Sequence, residues 1–282
     1  PLRDYTVVLW EDLTKFKKMS LRDEFLKLGC LKVLTDGSLG ARTAALKEPY
    51  ADEPSARGIL NYSYEELKMM IRKADGAGFQ MAVHAIGDFA VAESLRAFEE
   101  ASGEEVIRRR RHRIEHASVL SPSLIGKIKA LSLLACVQPH FLVTDFWVKS
   151  RLGAKRARWT YCFKSMVKHG ILVAASSDAP AEPLSPLLGV WAAVVRKSFP
   201  EERLTVEEAL RAYTLNAAYL SFEEKVKGSI EVGKFADFTV LSRNPLKVKP
   251  EKIRDIKVVM TIVDGRVVYR AGRDGKAGDE AD

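Results

Sequence analysis

Short apolar runs alternate along most of the chain with longer segments whose apolar residues recur every three or four positions. The runs predict β-strands, and the longer segments predict amphipathic helices. The predicted strands cover residues 5–10, 30–34, 79–84, 112–116, 133–138 and 171–176. Strands that are separated by helices in this way favour βαβ units and a parallel sheet.

Local signals mark where several of the helices begin. Residues 63–66 (SYEE) and 205–208 (TVEE) are capping-box patterns, in which the first and fourth side chains satisfy each other's backbone. A serine followed by proline at 121–122 is typical of a helix start. Asp88 is predicted to cap a helix that follows the 79–84 strand.

The pattern changes near residue 222, where the helical periodicity ends. Residues 228–241 and 257–269 predict two β-hairpins, the second around an Asp264-Gly265 turn. We therefore expect an α/β domain at 1–222, an all-β segment at 223–270 and a disordered Gly- and charge-rich tail at 271–282.

Composition narrows the class of protein. Apolar residues make up 47 % and charged residues 29 %, which is typical of a globular protein. No apolar run reaches the length of a membrane span, and the first residues do not form a signal peptide. Three scattered cysteines do not make a disulfide framework, so we expect a cytoplasmic protein. Abundant Lys, Arg and Glu with little Gln and Asn is also typical of thermophile surfaces.

The positive charge of the chain is mild. It amounts to +8, from 45 Lys and Arg against 37 Asp and Glu. The dense basic run is four arginines at 108–111, continued by Arg113. Such a run contacts phosphates in some nucleic-acid-binding proteins, but no aromatic residues interleave with it here, which favours a solvated loop. We expect neither a nucleic-acid partner nor a membrane partner.

Polar side chains recur where the predicted strands end. Lys32 lies in the 30–34 strand, and His84 and His116 close the next two strands. His140 and Asp178 lie just past the last two. Because the carboxyl ends of parallel strands share one edge of a sheet, these side chains are expected to face a common site. Imidazole and carboxylate groups suit Zn²⁺ or a similar divalent ion.

Structural interpretations of these residues stay open. A histidine at the end of a strand is often a hydrogen-bonded packing residue, and this interpretation competes with metal ligation at His84. His112 is four residues before His116 on the same strand face, so we expect it one layer deeper, as a structural residue. His169 is expected to contact carbonyls at a helix end. Arg42, in a loop, either pairs with a substrate carboxylate or anchors that loop.

Six segments occur in a characteristic order and spacing. They are LKVLTDGSLGARTAAL (31–46), VHAIGD (83–88), HRIEHA (112–117), QPHF (138–141), SSDAP (176–180) and GSIEVGKFADFTVL (228–241). Together they resemble the amidohydrolase superfamily, specifically the amidohydrolase-3 branch of metal-dependent hydrolases and N-substituted formamide deformylases.

The resemblance implies a fold, a reaction and roles for particular residues. The fold would be the C-terminal part of a (β/α)₈ TIM barrel, the catalytic domain at 1–222, with strands of a flanking β-sandwich at 223–270. One or two zinc ions would be held by Lys32, which is carboxylated in many members, together with His84, His116 and Asp178. Asp178 would also move a proton, and His140 would help to stabilise an oxyanion. The reaction would be hydrolysis of a C–N bond in a small amide-like molecule by metal-activated water.

The sequence departs from the family pattern at its N-terminal side. The family carries a His-x-His pair on its first barrel strand, and none occurs here, since the histidines are residues 84, 112, 116, 140 and 169. We therefore expect the N-terminal part of the barrel to be missing and the chain to be completed by further segments or to form homo-oligomers. The alternative is a non-catalytic barrel remnant or binding module that has lost the first metal site.

Overall fold

The structure is a computed structural model that describes residues 4–12 and 26–272. Its strands are β1 (Asp4–Leu9), β2 (Leu26–Leu34), β3 (Gln80–Ala85), β4 (Arg113–His116), β5 (Leu134–Val137), β6 (Val173–Ala175), β7 (Phe238–Leu241), β8 (Val258–Val263) and β9 (Arg266–Arg270). Its α-helices are α1 (Tyr64–Ala77), α2 (Asp88–Ala101), α3 (Glu104–Arg110), α4 (Pro122–Ala130), α5 (Phe141–Thr144), α6 (Val148–Ala157), α7 (Phe163–Lys168), α8 (Pro186–Val195), α9 (Val206–Tyr213) and α10 (Leu215–Leu220). Short 3₁₀ helices lie at Trp10–Asp12, Pro200–Glu202 and Pro250–Asp255.

Strands β1 to β6 form one parallel sheet in which each strand pairs with the next strand of the chain. This confirms the α/β architecture with a parallel sheet that the alternating pattern predicts. Within the described residues the sheet is open, with β1 and β6 at its edges. Helices α1 and α2 pack against β3, and α7, α9 and α10 pack against β6.

The core lies between the sheet and its covering helices. Val33, Met81 and Ile114 project from the strands and are fully buried, and Ile71 of α1 and Phe98 of α2 are buried with them. Helix α1 begins as predicted, because Ser63 and Glu66 form both hydrogen bonds of a capping box. The second capping box, at the start of α9, is also present.

Two local predictions are wrong. The N-cap of α2 is Gly87 rather than Asp88, and the Asp88 carboxylate instead accepts a hydrogen bond from the backbone of Lys47 at 3.0 Å. Residues 228–237, expected in a hairpin, lie in turns and irregular structure, and the first strand of that region is β7. The second hairpin is confirmed as β8 and β9, with Asp264 and Gly265 at positive φ in its turn.

Strands β7, β8 and β9 form a separate antiparallel sheet, in that order. All five residues of β9 are exposed. The adjoining Pro250–Asp255 segment packs on α8, where Ile253 is fully buried and the Arg254 guanidinium lies 5.0 Å from the ring centre of Trp191. The proposed boundary near residue 222 remains a prediction, and most of the expected tail, from residue 273 onward, lies outside the described residues.

None of the helices in the described part of the chain is both long enough and apolar enough to cross a membrane.

Candidate active site

The candidate residues gather at the carboxyl ends of the parallel strands. Lys32 lies in β2, and the register pairs Leu34 of that strand with His84 of β3. The next pairing places Ala85 beside His116, the last residue of β4. His140 and Asp178 follow β5 and β6. The arrangement of the strands therefore brings the candidate residues to one edge of the sheet, as predicted.

The backbone at His116 breaks the alternation of the strand. His112 and Ile114 face the helices, where the His112 ring lies 5.4 Å from that of Phe98. Glu115 faces the opposite side, and simple alternation would return His116 to the helices. A φ of +70° turns the His116 ring to the side of Glu115 instead, 4.4 Å from the ring of His84 and at 70° to it.

Hydrogen bonds determine which nitrogen of His116 carries a proton. The Gln138 amide nitrogen donates to the Ser176 hydroxyl at 3.0 Å and to the Cys136 carbonyl at 3.4 Å, which fixes the orientation of the amide. Its oxygen therefore faces His116 Nδ1 at 2.7 Å and accepts the Nδ1–H. Nε2 is left as the unprotonated nitrogen, the form in which histidine ligates a metal.

A similar arrangement holds His84. Its Nε2 lies 3.1 Å from the Gly37 carbonyl and 3.3 Å from Asp36 Oδ1, so Nε2 carries the proton and Nδ1 is the unprotonated nitrogen. The Asp36 side chain is fully buried and accepts hydrogen bonds from the backbone of Ala45, Ile86 and Gly87 at 2.8–3.0 Å. Asp36 therefore ties the loops after β2 and β3 to His84.

Charge couples Lys32 and Asp178 to the histidine pair. Burial lowers the pKa of His116 to about 3, and electrostatic coupling to His84 and Lys32 acts in the same direction, so the His116 ring is neutral at physiological pH. Burial raises the pKa of Asp178 above its usual range, the charge of Glu115 adds to this, and Lys32 and His84 act in the opposite direction. Four of the five candidates are thus within electrostatic or ring contact of one another.

A buried ion pair lies beneath these residues. Arg113 Nε donates to Glu115 Oε1 at 2.5 Å, and its other nitrogens donate to Gln80 and to Cys30 Sγ. Burial alone would raise the pKa of Glu115, but the charge and hydrogen bond of Arg113 outweigh it and lower the pKa. Removal of either partner would leave the other as an uncompensated buried charge, so the pair depends on both residues.

His140 is held by a residue that the sequence analysis missed. Its Nδ1 contacts Glu182 Oε2, in the loop that follows β6, and the other Glu182 oxygen accepts from the Thr144 hydroxyl at 2.5 Å. The neighbouring Phe141 ring lies 6.4 Å from the ring of His116. Periodicity could not identify Glu182, because it lies in a loop 42 residues from His140.

The structure decides several of the open interpretations. His112 is not below the site: its Nδ1 accepts from the backbone of Met81, and its Nε2 donates to Asp75 of α1 at 2.7 Å. His169 contacts the Ser165 carbonyl at 2.8 Å, as expected. Arg42 anchors its loop, because its guanidinium forms two hydrogen bonds with Asp52.

Most arginines of the basic run form ion pairs or hydrogen bonds with other residues of the chain. Arg108 pairs with Glu105, and Arg110 donates to the Gly78 carbonyl at 2.7 Å. Arg111 makes a two-pronged contact with Glu224 and lies over the ring of Tyr219. Arg113 is part of the buried pair described above. The three cysteines are buried free thiols, which agrees with a packing role.

The donor set was compared with the needs of a divalent ion. Within residues 4–12 and 26–272, no three His, Cys, Asp or Glu side chains form a group that would hold a metal by themselves. His84, His116 and Asp178 are therefore not such a group by themselves, and the fourth candidate, Lys32, is of a residue type outside this set. The two histidines fit, since each has one nitrogen bound to an oxygen and the other unprotonated. Lys32 fits only when carboxylated, because an ammonium group has no lone pair.

A parallel α/β sheet that gathers imidazole, carboxylate and amine groups at the carboxyl ends of its strands is the arrangement of many α/β enzymes. Comparison with known proteins identifies the family: the amidohydrolase family model matches residues 7–269, and the chain belongs to that family. A Bacillus subtilis relative named amidohydrolase YtcJ is 40 % identical over 270 residues, covering 92 % of this chain and 50 % of the relative. The N-substituted formamide deformylase of Arthrobacter pascens is 30 % identical over 259 residues, covering 86 % and 46 %.

The fold is shared with solved structures. The crystal structure of an uncharacterized metal-dependent hydrolase from Pyrococcus furiosus has a TM-score of 0.79 and 38 % identity. The match covers 87 % of this chain and 51 % of that one. This chain therefore spans about half the length of the relatives that it matches.

Proposed function

We propose that the chain carries much of the active site of a metal-dependent hydrolase that cleaves a C–N bond in a small amide-like molecule. The observation that carries the proposal is the pair of adjacent histidine rings, each with one nitrogen bound to an oxygen, beside Lys32 and Asp178. Family membership supports a hydrolase, and the name of the deformylase relative supports an amide-like substrate. The similarity to a metal-dependent hydrolase of Pyrococcus furiosus supports a divalent metal.

In this proposal Lys32, His84, His116 and Asp178 hold the ion, with zinc and a carboxylated lysine as the expected form. A divalent ion, when bound, supplies Lewis-acid polarisation of the substrate carbonyl and activation of water. The neutral ring of His116 and the amide of Gln138 keep the ligand nitrogen unprotonated.

The remaining chemistry belongs to the side chains. Asp178 takes a proton from the attacking water and returns it to the leaving nitrogen, and its raised pKa suits both directions of transfer. His140 donates a hydrogen bond to the substrate oxygen as negative charge develops there. The loop after β2, held by Asp36 and the Arg42–Asp52 pair, borders the site.

Elemental analysis of the purified chain, paired with its intact mass, tests the metal. We expect a stoichiometric divalent ion in the wild type and its loss in His116→Asn. His169→Asn is the matched control, because that ring contacts a carbonyl at the end of α7 and should leave the ion in place. Equal metal content in the two variants, or none in the wild type, would overturn the proposed site.

Hydrolysis is tested separately with a panel of N-substituted formamides and N-acyl amines. We expect cleavage that disappears with a chelator and returns with added metal. Stoichiometric metal without cleavage of any amide would instead support the binding-module alternative.

A further inference from the structure

A pocket of about 230 Å³ lies between the loop after β2 and the first turn of α2. None of the five candidate active-site residues lines it. Its volume corresponds to about seven water molecules, which suits a small ligand. The lining residues are apolar or glycine apart from two cations, and they are Ala45, Leu46, Lys47, Arg57, Gly58, Leu60 and Phe89.

Backbone contacts hold the walls of this pocket in place. The Ala45 amide donates to Asp36 Oδ2 at 2.9 Å, and the Phe89 amide donates to the Ala45 carbonyl at 3.1 Å. A Cβ on Gly58 would lie 2.0 Å from the Ala44 carbonyl oxygen, so the loop passes closely over itself at this point. Because the walls are already ordered, a ligand would not have to order them on binding.

The two cations of the pocket are Lys47 and Arg57. Arg57 Nη1 donates to the Lys47 carbonyl at 3.0 Å, which places the guanidinium beside the backbone of Lys47. In the part of the chain that the structure describes, neither side chain forms an ion pair with a carboxylate. Asp88, which accepts from the Lys47 amide, and the neighbouring Glu48 do not line the pocket. Two positive charges beside apolar walls favour an anion that carries an apolar group.

We propose that this pocket binds a small carboxylate with a short apolar chain. The carboxylate accepts hydrogen bonds from the Lys47 ammonium and from the Arg57 N–H groups that the Lys47 carbonyl does not use. The chain packs on Leu60 and on Phe89, which is 37 % exposed. This site is separate from the function proposed above, and its occupation requires neither a metal nor an amide.

Titration of ¹⁵N-labelled protein tests the class of ligand, with hexanoate, hexylammonium, 1-hexanol and inorganic phosphate as probes. We expect hexanoate to bind saturably, with a dissociation constant of about 1 mM, and to shift the amide signals of residues 45–47, 57–60 and 89. From acetate through butanoate to hexanoate, the affinity should rise about two- to fourfold for each methylene that is buried.

The other probes decide which part of the ligand is recognised. An equal affinity for hexylammonium or 1-hexanol would contradict the role of the two cations. An equal affinity for phosphate would contradict the role of the apolar walls. Hexanoate shifts confined to other residues would overturn the site itself.

Variants then test the lining residues. Lys47→Gln/Arg57→Gln removes both cations and should weaken hexanoate binding by at least about tenfold. Lys73→Gln/Arg109→Gln is the matched control, because it removes one exposed lysine from α1 and one exposed arginine from α3. Phe89→Ala should lower the affinity for hexanoate and leave that for acetate unchanged. Equal losses in the two double variants, or an unchanged hexanoate affinity in Phe89→Ala, would contradict the proposal.

Discussion

Single buried contacts, rather than residue types, separate the structural histidines of this chain from the candidate ligands. His112 and His116 are four residues apart, and their spacing predicts a common face. His112 instead binds Asp75 on the helix side, whereas the positive φ at His116 turns its ring toward His84. The His116 ring is bound there by Gln138, which is 22 residues away, so a pattern of neighbouring residues could not predict the contact.

The Asp75–His112 pair predicts how stability depends on pH. Burial raises the pKa of Asp75, but hydrogen bonds from His112 and Ser102 outweigh burial and hold the pKa below its usual range. Because the folded-state pKa is depressed, the pair stabilises the fold above the unfolded-state value of about 4, and this stabilisation is lost as the pH falls through the folded-state pKa. Asp75→Asn should therefore be less stable than wild type at neutral pH, and the two should converge in acid.

Urea unfolding of both proteins between about pH 7 and about pH 3 measures the difference. Asp255→Asn serves as the control, since its carboxylate is 51 % exposed and pairs with Lys252. That variant should stay within about 0.5 kcal/mol of wild type throughout. A gap between Asp75→Asn and wild type that does not change with pH would contradict the prediction.

At the level of helices and strands, the sequence predicts correctly those features whose residues are close together in the chain. Both capping boxes and the β8–β9 turn could be predicted, because the residues involved lie within a few positions of each other. The prediction that Asp88 caps α2 is wrong, because the glycine at the N-cap, Gly87, is required by a neighbouring loop rather than by the helix. The contact between His140 and Glu182 has no local signal either, because it joins two loops that only the fold brings together.

Two glycines at helix starts allow this requirement to be tested. Gly87 before α2 and Gly103 before α3 have nearly the same backbone, with φ of −73° and −74° and ψ of 150° and 153°. A Cβ on Gly87 would lie 1.9 Å from the Ala45 carbonyl oxygen, whereas one on Gly103 would have nothing within 4 Å.

Gly87→Ala should therefore lower the free energy of unfolding by about 1–3 kcal/mol or more, because backbone must move. Gly103→Ala should cost less than about 1 kcal/mol, the usual loss for alanine at this position. Denaturant midpoints compare the two. Equal losses of unfolding free energy in the two variants would contradict the prediction, because they would show that the loop after β2 moves at little cost to make room for a Cβ at residue 87.

For the molecule as a whole, the antiparallel sheet of β7, β8 and β9 predicts that the chain associates with another segment or subunit. Val267 and Tyr269 alternate along β9 and share a face, with 48 % and 36 % of their surfaces exposed, and the chain spans about half the length of its relatives. Apolar sheet surface of this kind is commonly covered by another segment or subunit.

We expect the purified chain to self-associate as its concentration rises, as measured by sedimentation velocity. The double variant Val267→Lys/Tyr269→Lys should shift the distribution toward monomer by charging that face. Met69→Lys is the control, because Met69 is 42 % exposed but lies on α1. A monomeric wild type, or an equal effect of both variants, would contradict the prediction.

The strand order of the parallel sheet also bears on how the site forms during synthesis. Because β1 to β6 pair in chain order, each strand from β2 onward emerges from the ribosome after one of its partners. The candidate ligands arrive in the same order, Lys32 first, then His84 and His116, and Asp178 last. The histidine pair can thus take shape on β3 and β4 while the carboxylate that completes the set is still being translated.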